Sequence, residues 1–145
     1  MLKQIPPVIS PDLMLTLMQM GHGDELVLAD GNYPSASNAR RLVRCDGHGV
    51  LELLEAILKF LPIDTFVKDV AIVMEPVDPQ PADPPVWAGF SRLLEAGEGR
   101  TIELTRISRQ EFYDRSRTAY AIVATGETAL YANIILKKGV VHPVK

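Results

Sequence analysis

One histidine stands between two glycines in the segment GHGDE, residues 21–25. The glycines let the backbone turn sharply and leave the imidazole with little neighbouring bulk. An unperturbed imidazole titrates near pH ~6.5 and can therefore give or take a proton at neutral pH. His22 is a candidate acid–base group, although a surface turn histidine would show the same pattern. Asp24 and Glu25 fit turn or capping roles better than catalysis.

Three further positions carry polar groups where strands or helices are predicted to begin or end. Asp30 ends an apolar segment, residues 25–30, and ligands of open α/β sheets bind beyond the carboxyl ends of strands. Its carboxylate can accept hydrogen bonds from hydroxyl groups, act as a base, or simply start an Asx-turn. Tyr131-Ala132-Asn133 opens the last predicted strand, where the phenol and the carboxamide would share one face. Arg109 could contact a ligand or lie on a solvated helix face.

Hydrophobic patterns predict the elements that must position these residues. The first predicted helix begins at Ser10-Pro11-Asp12, with serine as its cap, and stops at Gly21. The other helices are predicted over residues 50–61, 86–96 and 108–116, the last opened by an S-x-x-E capping box. Strands are predicted over residues 25–30, 41–45, 70–74, 101–104, 119–125 and 131–136.

The alternation of these strands and helices predicts an α/β fold. We expect a single layered domain over residues 1–145, with a mainly parallel, Rossmann-like central sheet flanked by helices. The segment VAIVM, residues 70–74, is apolar without alternation, as in a strand covered on both faces. The last two strands lie too close together for a helical crossover, so that pair is expected to be antiparallel or differently placed.

Composition and missing motifs exclude several classes of function. The formal net charge is −3 and the basic residues are scattered, which gives nucleic-acid binding no electrostatic support. No segment reaches the ~20 apolar residues of a membrane span. The single cysteine, Cys45, suits a packed thiol in a reducing compartment, so a cytoplasmic protein is expected. Nucleotide-binding glycine motifs and a G-x-S-x-G elbow are absent from the sequence.

A metal site has little support in the sequence. The three histidines, His22, His48 and His142, show no spacing typical of metal ligands. A site built from His22, Asp24 and Asp30 is conceivable, but turns and short strands bring such groups together without any ion. The residues therefore do not favour a metal site.

Several segments together resemble one known family. These are GHGDE with Asp30, RISRQEFYDR at 106–115, TGE at 125–127 and YANIILKKGV at 131–140. The chain resembles the D-ribose pyranase and L-fucose mutarotase family over nearly its whole length, least well at about residues 76–98. GHGDE, F-Y-x-R at 112–115 and LKKGV are closer to the fucose mutarotase branch. That branch often has a second histidine after Asp30, where this chain has Asn32, a difference that bears on sugar preference.

The resemblance implies roles for individual residues. His22 matches the family's proton donor, and its sugar-binding positions match Asp30, Arg109, Tyr131, Ala132 and Asn133. It also implies an enzyme without metal or cofactor, and a ring-shaped homo-oligomer, commonly a decamer, with sites near subunit contacts.

The expected function is that of a monosaccharide mutarotase, which interconverts the α and β anomers of L-fucose or a related sugar. His22 would act as acid and base in turn while the sugar ring opens, Asp30 or a water would complete the proton relay, and Arg109 would orient the sugar. Three alternatives stay open at this point: pyranose–furanose interconversion of D-ribose, a non-catalytic sugar-binding or transport accessory protein, and a metal-dependent hydrolase. The sequence does not assign Tyr120 or name a second proton-transfer group.

Overall fold

The computed structural model describes residues 1–144 and contains one six-stranded sheet flanked by helices. The strands are β1 (Glu25–Ala29), β2 (Leu42–Cys45), β3 (Ala71–Met74), β4 (Thr105–Ile107), β5 (Ala121–Thr125) and β6 (Ile134–Lys137). The helices are α1 (Pro11–Gln19), α2 (Ser35–Asn38), α3 (Val50–Ile57), α4 (Pro85–Glu98) and α5 (Arg109–Thr118). The predicted α/β architecture is confirmed, whereas the short helix α2 was not predicted.

The sheet has the strand order β2-β5-β1-β6-β3-β4. The pairs β1–β5, β2–β5 and β3–β4 are parallel, and β6 runs antiparallel to both β1 and β3. The sheet is therefore mainly parallel, as predicted. Strand β1 separates β5 from β6, so the last two strands of the chain are not paired with each other. The carboxyl ends of β1 and β3 and the start of β6 consequently meet at one edge of the sheet.

Apolar side chains fill both faces of the sheet. Leu26 and Leu28 of β1 belong to the larger core cluster, which also contains residues of α1, α3 and α4. Val27 and Ala29 point to the opposite face and pack in a smaller cluster with Phe112 of α5. Alternate residues of a strand face opposite sides, so a strand covered on both faces reads as a continuous apolar run. The same arrangement in β3 explains VAIVM.

Local capping signals predicted the starts of two helices correctly. The Ser10 hydroxyl oxygen accepts a hydrogen bond from the N–H of Leu13 at 3.1 Å. The Ser108 hydroxyl oxygen accepts one from the N–H of Glu111, also at 3.1 Å. Each bond satisfies one of the free N–H groups in the first turn of a helix.

The predicted bounds of β4 and α3 are wrong. Residues 101–104 form no strand, because pairing with β3 begins only where Thr105 lies opposite Ile72. The helix predicted over residues 50–61 ends at Ile57. Beyond it the N–H groups of Lys59 and Phe60 bond to carbonyls three residues back, the tighter pattern in which helices commonly finish.

No membrane-spanning helix occurs within residues 1–144, since none there combines sufficient length with sufficient apolar character.

Candidate functional site

A small cleft lies at the sheet edge where β1 and β3 end and β6 begins. Its volume is about 230 Å³. The residues after β1, the end of β3, the first turn of α5 and the turn before β6 all contribute to it. Its lining consists of Asp30, Asn32, Tyr33, Met74, Val77, Arg109, Tyr113, Leu130, Tyr131 and Asn133. Four of the predicted sugar-binding residues, Asp30, Arg109, Tyr131 and Asn133, therefore share one cavity.

Asp30 and Asn133 form a reciprocal pair at the base of the cleft, and both are buried. The N–H of Asp30 donates to Oδ1 of Asn133 at 2.8 Å, and Nδ2 of Asn133 donates to Oδ2 of Asp30 at 3.1 Å. The N–H of Asn32 donates to Oδ1 of Asp30 at 3.0 Å. These bonds fix the carboxylate and the carboxamide relative to each other.

The environment of Asp30 makes its carboxylate more basic than usual. Burial raises the pKa of the Asp30 carboxyl above its ordinary value, and hydrogen bonds from the backbones of Asn32 and Ala132 and from Asn133 offset only part of that rise. A carboxylate with a raised pKa is better matched to taking a proton near neutral pH. Ala132 is fully buried and acts on Asp30 through its main chain.

Tyr131 does not lie in a strand, contrary to the prediction. Strand β6 begins only at Ile134, and Tyr131 has a φ of 56°, a left-handed conformation that cannot continue a strand. Its carbonyl accepts a hydrogen bond from Nε1 of Trp87 at 3.0 Å. Tyr131 therefore reaches the cleft from a turn that the hydrogen bond from Trp87 holds in place, and Asn133 reaches it from the segment directly before β6. The two side chains do not share one face of a strand.

Two tyrosines complete one wall of the cleft. The Tyr33 hydroxyl donates to Oγ of Ser116 at 2.6 Å, and its ring meets those of Phe112 and Tyr113 edge-on. Burial raises the pKa of Tyr33 to about 12, so the phenol stays neutral. Tyr113 was not predicted as a site residue. A signal existed, because Tyr113 lies four residues after Arg109 in α5 and so shares its face.

His22 lies at the opposite edge of the sheet from the cleft. It precedes β1, whereas Asp30 follows β1, and five strand residues span roughly 17 Å. Its Nε2 lies 3.1 Å from Oδ1 of Asp64, and its ring centroid lies 5.2 Å from that of Phe66. A single chain therefore does not bring His22 to Asp30, although the family resemblance assigns both to one site.

The two acidic neighbours of His22 make contacts within the fold. Oδ2 of Asp24 accepts a hydrogen bond from the N–H of Gly21 at 2.7 Å. The Glu25 carboxylate receives hydrogen bonds from Nε and Nη2 of Arg115, the shortest 2.7 Å long. Both contacts fit the structural roles expected of these carboxylates.

Other residues named from the sequence also lie outside the cleft. The Tyr120 ring packs beneath the guanidinium of Arg41 at 4.0 Å. The hypothesised metal site of His22, Asp24 and Asp30 is not assembled, since His22 and Asp30 lie at opposite ends of β1. Over residues 1–144, no group of three or more histidine, cysteine, aspartate or glutamate residues is arranged to hold a metal ion.

Comparison with known proteins places the chain among relatives of similar length. The family model of the RbsD / FucU transport protein family matches residues 3–141. This chain belongs to that family. The resemblance drawn from GHGDE, RISRQEFYDR and YANIILKKGV is thereby confirmed.

Individual members of the RbsD / FucU family extend this result. The fucose mutarotase of Homo sapiens is 48% identical, with 96% of this chain and 94% of the relative covered. The L-fucose mutarotase of Actinobacillus pleuropneumoniae serotype 5b (strain L20) is 46% identical, with both chains fully covered. The crystal structure of the fucose mutarotase from Streptococcus pneumoniae in complex with L-fucose is 53% identical. Its TM-score is 0.92, with 97% of this chain and 100% of that chain covered.

A more distant member shows the fold alone. The structure of Bacillus subtilis RbsD complexed with D-ribose has a TM-score of 0.72 at 21% identity, with 98% of this chain and 100% of that chain covered. The shared sheet and helices therefore tolerate wide divergence in sequence within the RbsD / FucU family.

Proposed function

We propose that this chain is an isomerase, a cofactor-independent mutarotase that interconverts the α and β anomers of L-fucose or a closely related sugar. The observation that carries the proposal is the cleft in which Asp30, Arg109, Tyr131 and Asn133 converge. The relatives named fucose mutarotase, and the neighbouring structure that holds L-fucose, support the choice of sugar.

The residues of the cleft suit the opening of a hemiacetal ring. One group gives a proton to the ring oxygen while another takes the proton from the anomeric hydroxyl, and the bond between C1 and the ring oxygen breaks. The open aldehyde rotates about C1–C2 and closes on its other face. Asp30, with its raised pKa, is our candidate for the base, acting directly or through a water. A neutral sugar needs matched hydrogen-bonding groups, which Tyr131, Asn133 and Arg109 supply.

We propose His22 as the acid, supplied to the cleft by a second copy of the chain. Two exposed apolar side chains support such a contact. Phe66, beside His22, is 68% exposed, and Leu130, on the rim of the cleft, is 66% exposed. A contact between two different surface patches is head-to-tail, and its repetition around an axis closes a ring. This agrees with the ring-shaped homo-oligomer, commonly a decamer, that the family resemblance implies.

We also place the protein in the cytoplasm, because its single cysteine, Cys45, is buried and unpaired, as is usual in a reducing compartment.

An NMR exchange experiment tests the proposed function. L-fucose, D-ribose and D-galactose are each incubated with the protein, and exchange between ring forms is measured by saturation transfer. We expect faster α/β exchange of L-fucose. His22→Ala should remove most of that gain, since a placed proton-transfer group contributes about 10²–10⁴-fold.

A matched control is His48→Ala, because His48 is a similarly exposed histidine that contacts Glu52 and does not line the cleft. It should leave exchange unchanged. Unaltered exchange of all three sugars would refute the mutarotase proposal, and sugar binding without faster exchange would favour a non-catalytic binding protein. Faster exchange confined to the D-ribose ring forms would favour a pyranase.

A further inference from the structure

A buried carboxylate lies directly beside the exposed ring of His22. The side chain of Asp64 is 3% exposed and that of His22 45%, and the atoms in contact are Oδ1 of Asp64 and Nε2 of His22, 3.1 Å apart. Asp64 lies in the loop between α3 and β3, 42 residues from His22. No role for it follows from the sequence or from the cleft.

Asp64 is held as an ionised acceptor. Its Oδ1 also accepts hydrogen bonds from the N–H groups of Thr65 at 2.8 Å and Phe66 at 3.1 Å. Burial alone would raise the pKa of the Asp64 carboxyl, but the hydrogen bonds from Phe66, His22 and Thr65 outweigh it and hold that pKa below its ordinary value. An ionised carboxylate has no proton to donate, so Nε2 of His22 must carry the hydrogen that joins them.

The second ring nitrogen of His22 is then defined. In a neutral imidazole with its hydrogen on Nε2, Nδ1 has a free lone pair. We propose that Asp64 is a positioning residue for His22, which keeps the hydrogen on Nε2, leaves Nδ1 to exchange a proton with the sugar, and stabilises the imidazolium by its charge. This inference rests on the proposed function.

The protons balance over ring opening and closure. The imidazolium gives its Nδ1 proton to the ring oxygen of the sugar as the bond from C1 to that oxygen breaks, and Asp30 or a water takes the anomeric proton. His22 is left neutral, with its hydrogen still on Nε2. Ring closure reverses both transfers, and Nδ1 recovers its proton. Asp64 stays ionised throughout and gives up no proton.

Asp64 could instead serve only to shape its loop, because its carboxylate accepts a hydrogen bond from the N–H of Phe66, which forms an Asx-turn. The contact with His22 goes beyond such a turn. The ring of Phe66, on the same turn, lies 5.2 Å from the ring of His22. Oδ1 of Asp64 therefore bonds both to the turn and to the imidazole, so the geometry of the turn fixes the orientation of the ring.

Two variants separate charge from shape. Asp64→Asn keeps an Oδ1 that can accept the same three N–H groups, so the turn persists while the negative charge is lost. We expect it to slow L-fucose exchange at saturating sugar by about 10–100-fold, the scale of a lost charge-assisted hydrogen bond, with little change in KM. Asp64→Ala removes the acceptor as well, and ¹⁵N NMR should show His22 moving from the Nε2–H tautomer to a mixture.

The matched control is Glu98→Gln, which removes a negative charge from a side chain that accepts a hydrogen bond from the N–H of Ile63, next to Asp64, at 2.8 Å. It should leave exchange and the tautomer unchanged. Asp64→Asn that exchanges L-fucose at the wild-type rate would overturn the inference and leave Asp64 as a turn residue, as would a wild-type His22 in the Nδ1–H tautomer. Failure of the proposed function is distinct from both, because wild-type protein would then not accelerate exchange at all.

Discussion

Replacing Asn133 with alanine removes both hydrogen bonds that join Asn133 to Asp30. The N–H of Asp30 and its Oδ2 then lose their partners at the buried base of the cleft. Leaving a buried amide unpaired costs about 1–3 kcal/mol, and a carboxylate costs more, although water entering the cleft offsets part of the loss. We expect the free energy of unfolding to fall by about 2–4 kcal/mol, and the pKa of Asp30 to rise further, since the bond from Asn133 lowers it.

The substitution Asn133→Asp gives a matched test with a defined dependence on pH. It places a second carboxylate oxygen where Nδ2 now lies, 3.1 Å from Oδ2 of Asp30. Two carboxylates that close cannot both ionise at low cost, so the folded pair binds a proton more tightly than the unfolded chain does. Stability is therefore greatest below the unfolded pKa values and falls as the pH rises through the raised folded value.

Urea unfolding followed by far-UV circular dichroism at pH 4 and pH 7, at one fixed protein concentration, measures both effects. Asn133→Asp should be much less stable than the wild type at pH 7 and should recover much of the difference at pH 4. The reasoning would be refuted if Asn133→Ala stayed within about 0.5 kcal/mol of the wild type, the range of an ordinary surface substitution. It would also be refuted if the deficit of Asn133→Asp were equal at both pH values.

One further substitution tests the turn at Tyr131, and one chemical treatment tests the burial of Cys45. Trp87→Phe removes the donor to the Tyr131 carbonyl. It should lower the free energy of unfolding by about 1–3 kcal/mol and raise KM for L-fucose. An unchanged KM would show that Trp87 does not hold the turn at Tyr131. The Cys45 thiol is buried, and burial raises its pKa. Native protein should therefore react with a thiol reagent far more slowly than protein in urea, and equal rates would contradict the packing of β2.

Local signals predicted most of the fold. The caps at Ser10 and Ser108 and the apolar segment of β3 depend on neighbours in the sequence, so their pattern was sufficient. Strand β4 was misplaced because its position depends on pairing with β3, where Thr105 lies opposite Ile72, 33 positions earlier in the chain. The turn at Tyr131 was missed for a similar reason, since the donor to its carbonyl, Trp87, lies 44 residues away.

The sequence identified four residues of the cleft but not its geometry. Asp30 and Asn133 are 103 residues apart, and the family resemblance, not periodicity, assigned both to one site. The same resemblance grouped His22 with them, whereas β1 separates His22 from Asp30 within one chain. Asp64 carried no local signal at all, because its contact with His22 exists only once the loop before β3 is folded against the start of β1.

Subunit complementation tests most directly whether His22 completes the cleft of another copy. His22→Ala and Asp30→Asn chains are each expected to lack most exchange activity on L-fucose, and each is checked for folding by circular dichroism. When the two are co-expressed in equal amounts, a site that draws His22 from one chain and Asp30 from another is intact in about a quarter of random pairings. We therefore expect mixed oligomers to recover about a quarter of wild-type exchange activity. Mixed oligomers that stay as inactive as either parent would contradict the shared site.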